Sequence, residues 1–238
     1  SAYLKPGARI TMRDLCYGLM LNSGNDAAVA IAEHISETTD DFAEFMNDTA
    51  KRTGILNTHF VNPNGLHDDN HFTTASDLAR LTRYALQNDT FREIASTMLM
   101  PDGTIQNVEY INHNRLLKEL DGCIGVKTGF TKTAGRCLVS AVNRNGAEYV
   151  IVTLNDSDDW NTHKELCELA FDTMSERNIV KKGDCMKHAV SAKEECELVV
   201  KADFSVFVNR NNNSFEIIKH IPETVGFPLN KGEKVGYV

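Results

Sequence analysis

Several features that mark particular protein classes are missing from the sequence. No apolar run approaches the roughly 18 residues that a membrane-spanning helix needs. Acidic residues outnumber basic ones, 33 against 25, which gives a formal net charge of -8 at pH 7. Because binding to nucleic acid depends on clustered Lys and Arg that release counterions, we expect no nucleic-acid partner.

Cysteine is present but follows no metal-binding or disulfide pattern. The six cysteines form no C-x-x-C pair and have no zinc-ligand spacing, so we expect no metal and no cofactor. Dispersed cysteines of this kind are typical of buried small apolar residues or free thiols. They are Cys16, Cys123, Cys137, Cys167, Cys185 and Cys196.

The N-terminal half reads as helical. Apolar residues recur at helical spacing after Thr11, and Asp14 three residues later completes a capping box. The periodicity breaks at Ser23-Gly24-Asn25 and then resumes, so Ser23 and Asn25 are predicted to lie at a helix-to-helix turn. A third helix is predicted to stop at Gly54, and a fourth to open at Thr74.

From Gly122 the pattern changes to short apolar segments. "CIGVKTG" and "RCLVSAV" read as strands, and "NRNG" at 143–146 joins the second to "AEYVIVTLN" as an antiparallel hairpin. An amphipathic helix is predicted from about Trp160 to Arg177. The region 1–179 is therefore predicted to be an α+β domain with an antiparallel sheet and a helical subdomain.

Residues 180–238 have a different pattern of apolar and polar residues. Alternation in "ECELVVKADFSVFV", a polar turn in "NRNNNS" and a further strand in "FEIIKHI" predict a small all-β domain. About 58 residues is near the lower limit for independent stability, so this unit is expected to lean on the first domain or to continue beyond Val238.

"GVKTGFTKTAG" combines a cation, a hydroxyl and glycines on a predicted strand. A buried lysine such as Lys127 can shuttle a proton or hold an anionic substrate, and Thr128 adds a hydroxyl. Gly125 and Gly129 would keep the strand clear for a peptide backbone. An exposed edge lysine without a function is the alternative for these three letters alone.

Lys-Thr-Gly together with an upstream Ser-x-Asn matches two elements of the active site of penicillin-interacting serine enzymes. The flanks extend the match: "LKPGARITMRDLCYGLMLNSGNDAAVAIAE", "THFVNPNGLHDDNHFTTASDLARL", "NHNRLL" and "GVKTGFTKTAGRCLVSA". From about Leu4 to Ile179, and more loosely in "FPLNKGEKVGYV", the chain resembles the serine D-alanyl-D-alanine carboxypeptidases, the low-molecular-weight penicillin-binding proteins. The resemblance implies a β-lactamase/transpeptidase-like fold.

The resemblance also implies a role for each matching residue. Ser23 would relay a proton to the leaving amine, and Asn25 would bind the substrate amide. Lys127 would supply positive charge and Thr128 would bind the terminal carboxylate. The backbone N–H of Phe130, next to Gly129, would be an oxyanion donor. The implied substrate is a peptidoglycan stem peptide ending in D-Ala-D-Ala, with β-lactams as inhibitors.

The family's Ser-x-x-Lys motif, which carries the acylated serine, is absent from the 238 residues. We expect an N-terminally truncated enzyme, inactive alone, whose missing segment or a second chain covers the open site. The resemblance further implies a location in the bacterial cell envelope, outside the cytoplasm, and peripheral membrane anchoring through a segment beyond Val238.

Three further features have competing interpretations. Arg136 is a candidate for carboxylate binding, because the stretch after the hairpin contains no arginine; surface or strand-pairing use is the alternative. His67 and His71 could suggest a metal site, but they lie in a loop, where no ligand role is expected. Asn112 and Asn114 could contact substrate or pin their own loop.

Two other functions fit parts of the pattern. A class A β-lactamase shares the implied fold, but Gly24 between Ser23 and Asn25 and the additional β domain argue against it. A catalytically silent homologue that binds muropeptides would lack Ser-x-x-Lys in its whole reading frame.

Overall fold

The computed structural model describes residues 1–100, 109–190, 195–211, 216–222 and 230–237. These divide into two compact units, Ser1–Glu168 and Leu169–Val238. The domain boundary expected from the sequence, between 179 and 180, stays a prediction.

Five helices form the N-terminal part of the first unit. Two helices begin as predicted: the hydroxyl groups of Thr11 and Thr74 each accept the backbone N–H three residues on. The Thr38 hydroxyl caps a third helix in the same way. Gly54, with a positive φ of 76°, follows the end of the third helix. The helices are α1 (Met12–Asn22), α2 (Asn25–Ser36), α3 (Thr39–Arg52), α4 (Ala75–Ala85) and α5 (Asp89–Ser96).

A short helix, α6 (Leu116–Glu119), precedes a three-stranded antiparallel sheet. Its strands are β1 (Cys123–Thr131), β2 (Gly135–Arg144) and β3 (Ala147–Leu154), in the spatial order β1-β2-β3. Asn145 and Gly146 connect β2 to β3 with φ angles of 53° and 83°, the backbone of a tight two-residue hairpin turn. The predicted hairpin is confirmed, and β1 is an edge strand of this sheet.

The helix predicted to end at Arg177 stops earlier. Helix α7 is Asp159–Thr173, and the next residues form β4 (Met174–Val180), which pairs with β7 (Phe204–Asn209). The remaining strands, β5 (Cys185–Val190) and β6 (Glu195–Val199), pair with each other. The helical prediction was wrong over Met174–Arg177 because pairing with a strand far along the chain decides that segment.

The strand predicted in "FEIIKHI" is also not formed in its described part. Residues 216–219 have no strand, and His220 makes only an isolated bridge to Tyr237. Phe215, part of the "NRNNNS" turn, and residues 227–229 and 238 of the "FPLNKGEKVGYV" match lie outside the described residues. No helix among the described residues is long and apolar enough to cross a bilayer.

Two apolar clusters hold the first unit together. The first joins α1, α2 and α5 around Leu21 and Tyr110, both fully buried. The second places Val126 of β1 and Ala141 of β2 against Leu86 and Ala95 at the ends of α4 and α5. Burial of Val126 on one face of β1 directs its neighbour Lys127 to the opposite face, because side chains alternate along a strand.

Candidate active site

The turn between α1 and α2 presents Ser23 and Asn25. Ser23 has left-handed backbone angles, φ 50° and ψ 46°, and the N–H of Gly24 donates to the Gly18 carbonyl at 3.1 Å. This arrangement satisfies carbonyl groups at the end of α1 and reverses the chain sharply. Asn25 begins α2 and is exposed, whereas Gly24 between them is buried.

Lys127 joins the two sequence motifs. Its Nζ donates one hydrogen bond to Ser23 Oγ and another, of 2.8 Å, to the Thr128 carbonyl oxygen. Ser23 and Lys127 are 104 residues apart in the sequence. Ser-x-Asn and Lys-Thr-Gly therefore meet in one place in the fold.

The environment of Lys127 makes its ammonium group easier to deprotonate. Burial lowers the pKa of Lys127 from 10.5 to about 8, because the charged form loses hydration. A lysine with this pKa carries a proton in most molecules at neutral pH and still exchanges it readily. It can supply positive charge or take part in proton transfer.

The rest of the motif lies along the edge strand. Thr128 is partly buried, while Gly129 is exposed and Phe130 is 70% exposed. A Cβ at Gly129 would have no neighbour nearer than 3.9 Å, so this stretch of β1 is open. Gly125 differs from expectation: it is buried, and its Cβ position lies 3.2 Å from Ala95 Cβ, so it serves close packing on α5.

His113, which the sequence interpretation did not single out, lies close enough to Lys127 to feel its charge. Burial and the nearby Lys127 charge lower the pKa of His113. Asn112 and Asn114 pin the loop around it: Asn112 Nδ2 donates to the Thr97 carbonyl at 3.0 Å, and Asn114 Oδ1 accepts the Leu116 N–H at 3.1 Å. These bonds support the loop-pinning interpretation of the two asparagines.

Arg136 lies on β2 opposite Phe130, and its guanidinium group already forms a salt bridge within the chain. Its Nη2 forms a 2.6 Å salt bridge with the buried carboxylate of Asp159, and its guanidinium lies 5.5 Å from the Trp160 ring centroid. The buried Nε makes no hydrogen bond to any residue that the structure describes. Its predicted role in substrate binding stays a prediction.

The histidine loop packs on itself. His71 Nδ1 accepts the Val61 N–H at 3.3 Å, and its ring lies edge-on to Phe60, with centroids 5.6 Å apart. His67 lies 3.4 Å from the Asp69 carboxylate. Within the described ranges, no group of three or more His, Cys, Asp or Glu side chains could hold a metal ion.

Comparison with known proteins agrees with this geometry. The family model described as D-alanyl-D-alanine carboxypeptidase matches residues 1–158, most of the first unit. The chain belongs to the D-alanyl-D-alanine carboxypeptidase family. Its described helices and antiparallel sheets have the mixed α and β architecture of the family's penicillin-binding proteins.

Other members of this family match over different shares of their length. D-alanyl-D-alanine carboxypeptidase DacF of Bacillus subtilis is 27% identical over 98% of this chain and 63% of that protein. DacB2 of Mycobacterium tuberculosis is 36% identical over 63% of this chain and 53% of that protein. The chain thus spans less than two thirds of the length of these relatives.

Solved structures of family members match nearly the full length of the chain. Penicillin binding protein 5 from Haemophilus influenzae has a TM-score of 0.81 and 25% identity, covering 99% of this chain and 71% of that one. The carboxypeptidase DacD from Francisella tularensis has a TM-score of 0.73, also at 25% identity, covering 98% and 71%. These values establish the fold.

Proposed function

We propose that this chain forms the Ser-x-Asn and Lys-Thr-Gly half of a serine-type D-Ala-D-Ala carboxypeptidase that trims peptidoglycan stem peptides and is inhibited by β-lactams. The observation that carries the proposal is the hydrogen bond from Lys127 to Ser23, which unites both motifs in a family member. The reaction passes through an acyl-enzyme: a serine attacks the carbonyl, the last D-Ala leaves, and water releases the shortened peptide.

Each residue of the half-site has a task that follows from its position. The substrate backbone lies along the open edge of β1, where Gly129 leaves room for it. The Thr128 hydroxyl and the Lys127 charge bind the terminal carboxylate, and the Phe130 N–H stabilises the oxyanion. Ser23, whose hydroxyl oxygen accepts a hydrogen bond from Lys127, passes its own proton to the leaving amine and regains one from the Lys127 ammonium group.

Arg136 is retained in the proposal as a second contact for the carboxylate. Its salt bridge to Asp159 involves Nη2, and 41% of its side chain is exposed. The Asp159 carboxylate and the Trp160 ring fix the guanidinium in place, so a carboxylate that reached it would meet an oriented cation.

The nucleophile has to come from residues outside this sequence, because no Ser-x-x-Lys occurs within it. Asn25 lines a groove of about 680 Å³ together with Leu4, Ile10, Val29 and Ala30. This groove offers room for a segment that carries the motif, from a longer parent or a second chain. The 238 residues alone would then be inactive.

The same proposal sets the location of the whole protein. Its substrate, the peptidoglycan stem peptide, lies outside the cytoplasmic membrane, so we place the enzyme in the bacterial cell envelope. Peripheral anchoring through a segment beyond Val238 would keep it near the membrane surface.

The experiment is acylation by benzylpenicillin, followed by intact-mass spectrometry under denaturing conditions. We expect a longer parent containing Ser-x-x-Lys to gain one penicillin and the 238-residue chain to gain none. In the parent, Lys127→Met should slow acylation about 100-fold or more, as loss of a charge that stabilises a transition state does. Lys132→Met is the matched control, since Lys132 is an exposed lysine five positions along.

Two results would overturn the proposal. Acylation of Lys127→Met parent at the unmodified rate would remove Lys127 from the chemistry. Rapid release of hydrolysed penicillin would instead favour a β-lactamase. That outcome conflicts with the packing of Gly24, whose Cβ position lies 2.9 Å from Ala2 Cβ and leaves no room for the aspartate of that enzyme class.

A silent muropeptide-binding homologue is the second candidate, favoured by the absence of Ser-x-x-Lys from these residues. It predicts that the full reading frame lacks the motif as well. Sequencing the parent gene decides between the two, because the enzyme proposal requires the motif there.

A further inference from the structure

The first four residues lie directly over the Ser-Gly-Asn turn; we call residues 1–4 the strap. Ala2 is 1% exposed and packs in the core cluster of α1 and α2. The position of a Cβ at Gly24 is 2.9 Å from Ala2 Cβ and 3.1 Å from Ala2 N, and that at Gly18 is 3.2 Å from Ala2 Cβ. The strap therefore contacts the turn at its middle residue and the last turns of α1.

Most of the polar groups of the strap form hydrogen bonds with one side chain, that of Asp26. Asp26, next to Asn25, accepts the Ala2 N–H at Oδ1 (2.6 Å) and the Leu4 N–H at Oδ2 (3.1 Å). Its Oδ2 also accepts the Ser1 hydroxyl at 2.8 Å, and its Oδ1 the N–H of Ala27 at 3.1 Å. Four donors thus converge on one carboxylate at the start of a helix, where negative charge is also favoured.

The charge state of Asp26 agrees with this role. Burial by itself would raise its pKa, but the hydrogen bonds from Ala2, Ser1, Leu4 and Ala27 outweigh it and lower the pKa to about 2. Asp26 is consequently ionised across the physiological range and can only accept hydrogen bonds.

Two further bonds close the strap from the other side. The hydroxyl of the fully buried Tyr110 donates to the Ala2 carbonyl at 2.5 Å, and Asn22 Nδ2 donates to the Ser1 carbonyl at 2.6 Å. Tyr110, α1 and α2 thereby hold Ala2 from three directions. Because Ala2 fills the space beside Gly24, the position of the strap limits where Ser23 can lie.

We propose that Asp26 is a positioning residue of the active site: by clamping the strap onto Gly24 it holds the Ser23 hydroxyl against the Lys127 ammonium group. Asp26 lies outside the Ser-x-Asn and Lys-Thr-Gly motifs, and among the described residues it forms no hydrogen bond or ion pair with Lys127. It acts through Ala2 and Gly24. This inference rests on the proposed function, but the measurement that tests it requires no catalysis.

Asp26→Asn is the informative variant because it keeps the shape and removes half of the acceptor capacity. With Oδ1 accepting from Ala2 and Ala27, the new amide N–H₂ faces the Leu4 N–H, where a donor meets a donor, and the Ser1 hydroxyl has to change from donor to acceptor. The strap then loosens and Ser23 moves from Lys127. Water reaches the ammonium group and restores the hydration on which its lowered pKa depends.

The readout is the pKa of Lys127, measured by NMR on the 238-residue chain with 13Cε-labelled lysine and assigned with Lys127→Arg. We expect Asp26→Asn to raise this pKa by about one unit or more toward the ordinary lysine value. Tyr110→Phe, which removes only the bond to the Ala2 carbonyl, should raise it by less. Asp41→Asn is the matched control: Asp41 is a first-turn acid of α3 that binds Thr38, and its loss should leave Lys127 unchanged.

A purely structural role for Asp26 gives a different pattern: the melting temperature falls while the Lys127 pKa stays as in the unmodified chain. That result in folded Asp26→Asn overturns the inference. If circular dichroism shows that Asp26→Asn does not fold, an unchanged Lys127 pKa in Tyr110→Phe overturns it instead. The NMR measurement needs no catalysis, so it can fail while penicillin acylation of the parent succeeds, and the reverse.

Discussion

Protonation of His163 should make the first unit sensitive to mild acid. His163 on α7 is fully buried, and both ring nitrogens lie at hydroxyl groups: Nδ1 is 2.7 Å from Ser140 Oγ on β2, and Nε2 is 3.0 Å from Thr153 Oγ1 on β3. Burial lowers the pKa of His163 to about 4, although the Asp159 and Asp156 carboxylates act in the opposite direction.

The direction of the pH dependence follows from the different pKa of His163 in the folded and the unfolded chain. An unfolded histidine has a pKa of about 6.5, so between pH 6.5 and 4 the unfolded chain binds a proton that the folded chain does not. The stabilisation is complete above pH 6.5 and is lost as the pH falls toward 4. A difference of about 2.5 units corresponds to about 3 kcal/mol at 1.36 kcal/mol per unit.

Urea unfolding at pH 7 and at pH 4.5 tests this value. Trp160 is the only tryptophan and lies one turn before His163 on α7, so its fluorescence reports on this region. We expect the unmodified chain to lose about 2–3 kcal/mol more than His163→Gln between the two pH values. The lower overall stability of the variant does not affect the comparison, because only the change with pH is compared.

His34→Gln is the control, because His34 is an exposed histidine on helix α2 of the same unit. It should show the pH dependence of the unmodified chain. If His163→Gln lost as much stability as the unmodified chain between pH 7 and 4.5, the buried histidine would not be neutral in the folded state, and the reasoning would be refuted.

Two further substitutions test packing and charge in the same unit, both measured by urea unfolding. Gly24→Ala forces a methyl to within 2.9 Å of Ala2 Cβ and should lower the free energy of unfolding by about 1–3 kcal/mol. Gly129→Ala, whose new methyl has no atom nearer than 3.9 Å, should leave it almost unchanged. Equal losses in the two variants would contradict the contact between the strap and Gly24. Arg92→Met breaks the 2.7 Å bridge to the partly buried Glu148 and should cost about 1–3 kcal/mol. Lys51→Met, which breaks a mostly exposed pair, should cost under about 1 kcal/mol, and the prediction fails if the two losses are alike.

The elements that the sequence predicts well are those decided by neighbouring residues. A hydroxyl at Thr11 or Thr74 can satisfy an N–H three residues away without help from the rest of the chain, and both caps are present. Asn145-Gly146 adopts the positive φ angles of a tight turn because these residue types tolerate them. The hairpin is therefore predictable from a few letters.

The errors occur where distant parts of the chain compete with local preference. Helical periodicity continues past Thr173, yet Met174–Val180 forms a strand that pairs with Phe204–Asn209. No local pattern in the sequence predicts this pairing. The reverse holds for "FEIIKHI": its residues favour a strand, but residues 216–219 have no partner strand among the described residues. Strand formation requires a partner, so propensity alone could not settle either segment.

The site was predictable in its motifs but not in its supports. Ser23, Asn25 and Lys127 belong to recognisable short patterns. Asp26 acts through bonds to residues 22 and 24 positions earlier, and no local pattern predicts them. The loop of His113, near Lys127, is likewise attached to a distant segment, by the bond from Asn112 to the Thr97 carbonyl.

Lys127 differs from Arg92 and Arg136 in how its positive charge is compensated. Arg92 and Arg136 are each paired with a carboxylate, and in both cases that bond raises the arginine pKa, as structural ion pairs do. Lys127 has a lowered pKa, and within the described residues its Nζ binds only a hydroxyl and a carbonyl. A desolvated cation without a counter-charge destabilises the fold. Such a cation is therefore more typical of a site that binds an anion than of a structural ion pair. In the proposed function, the carboxylate of a bound peptide would complete the ion pair of Lys127, and the hydrogen bond to Ser23 would orient the ammonium group until the peptide binds.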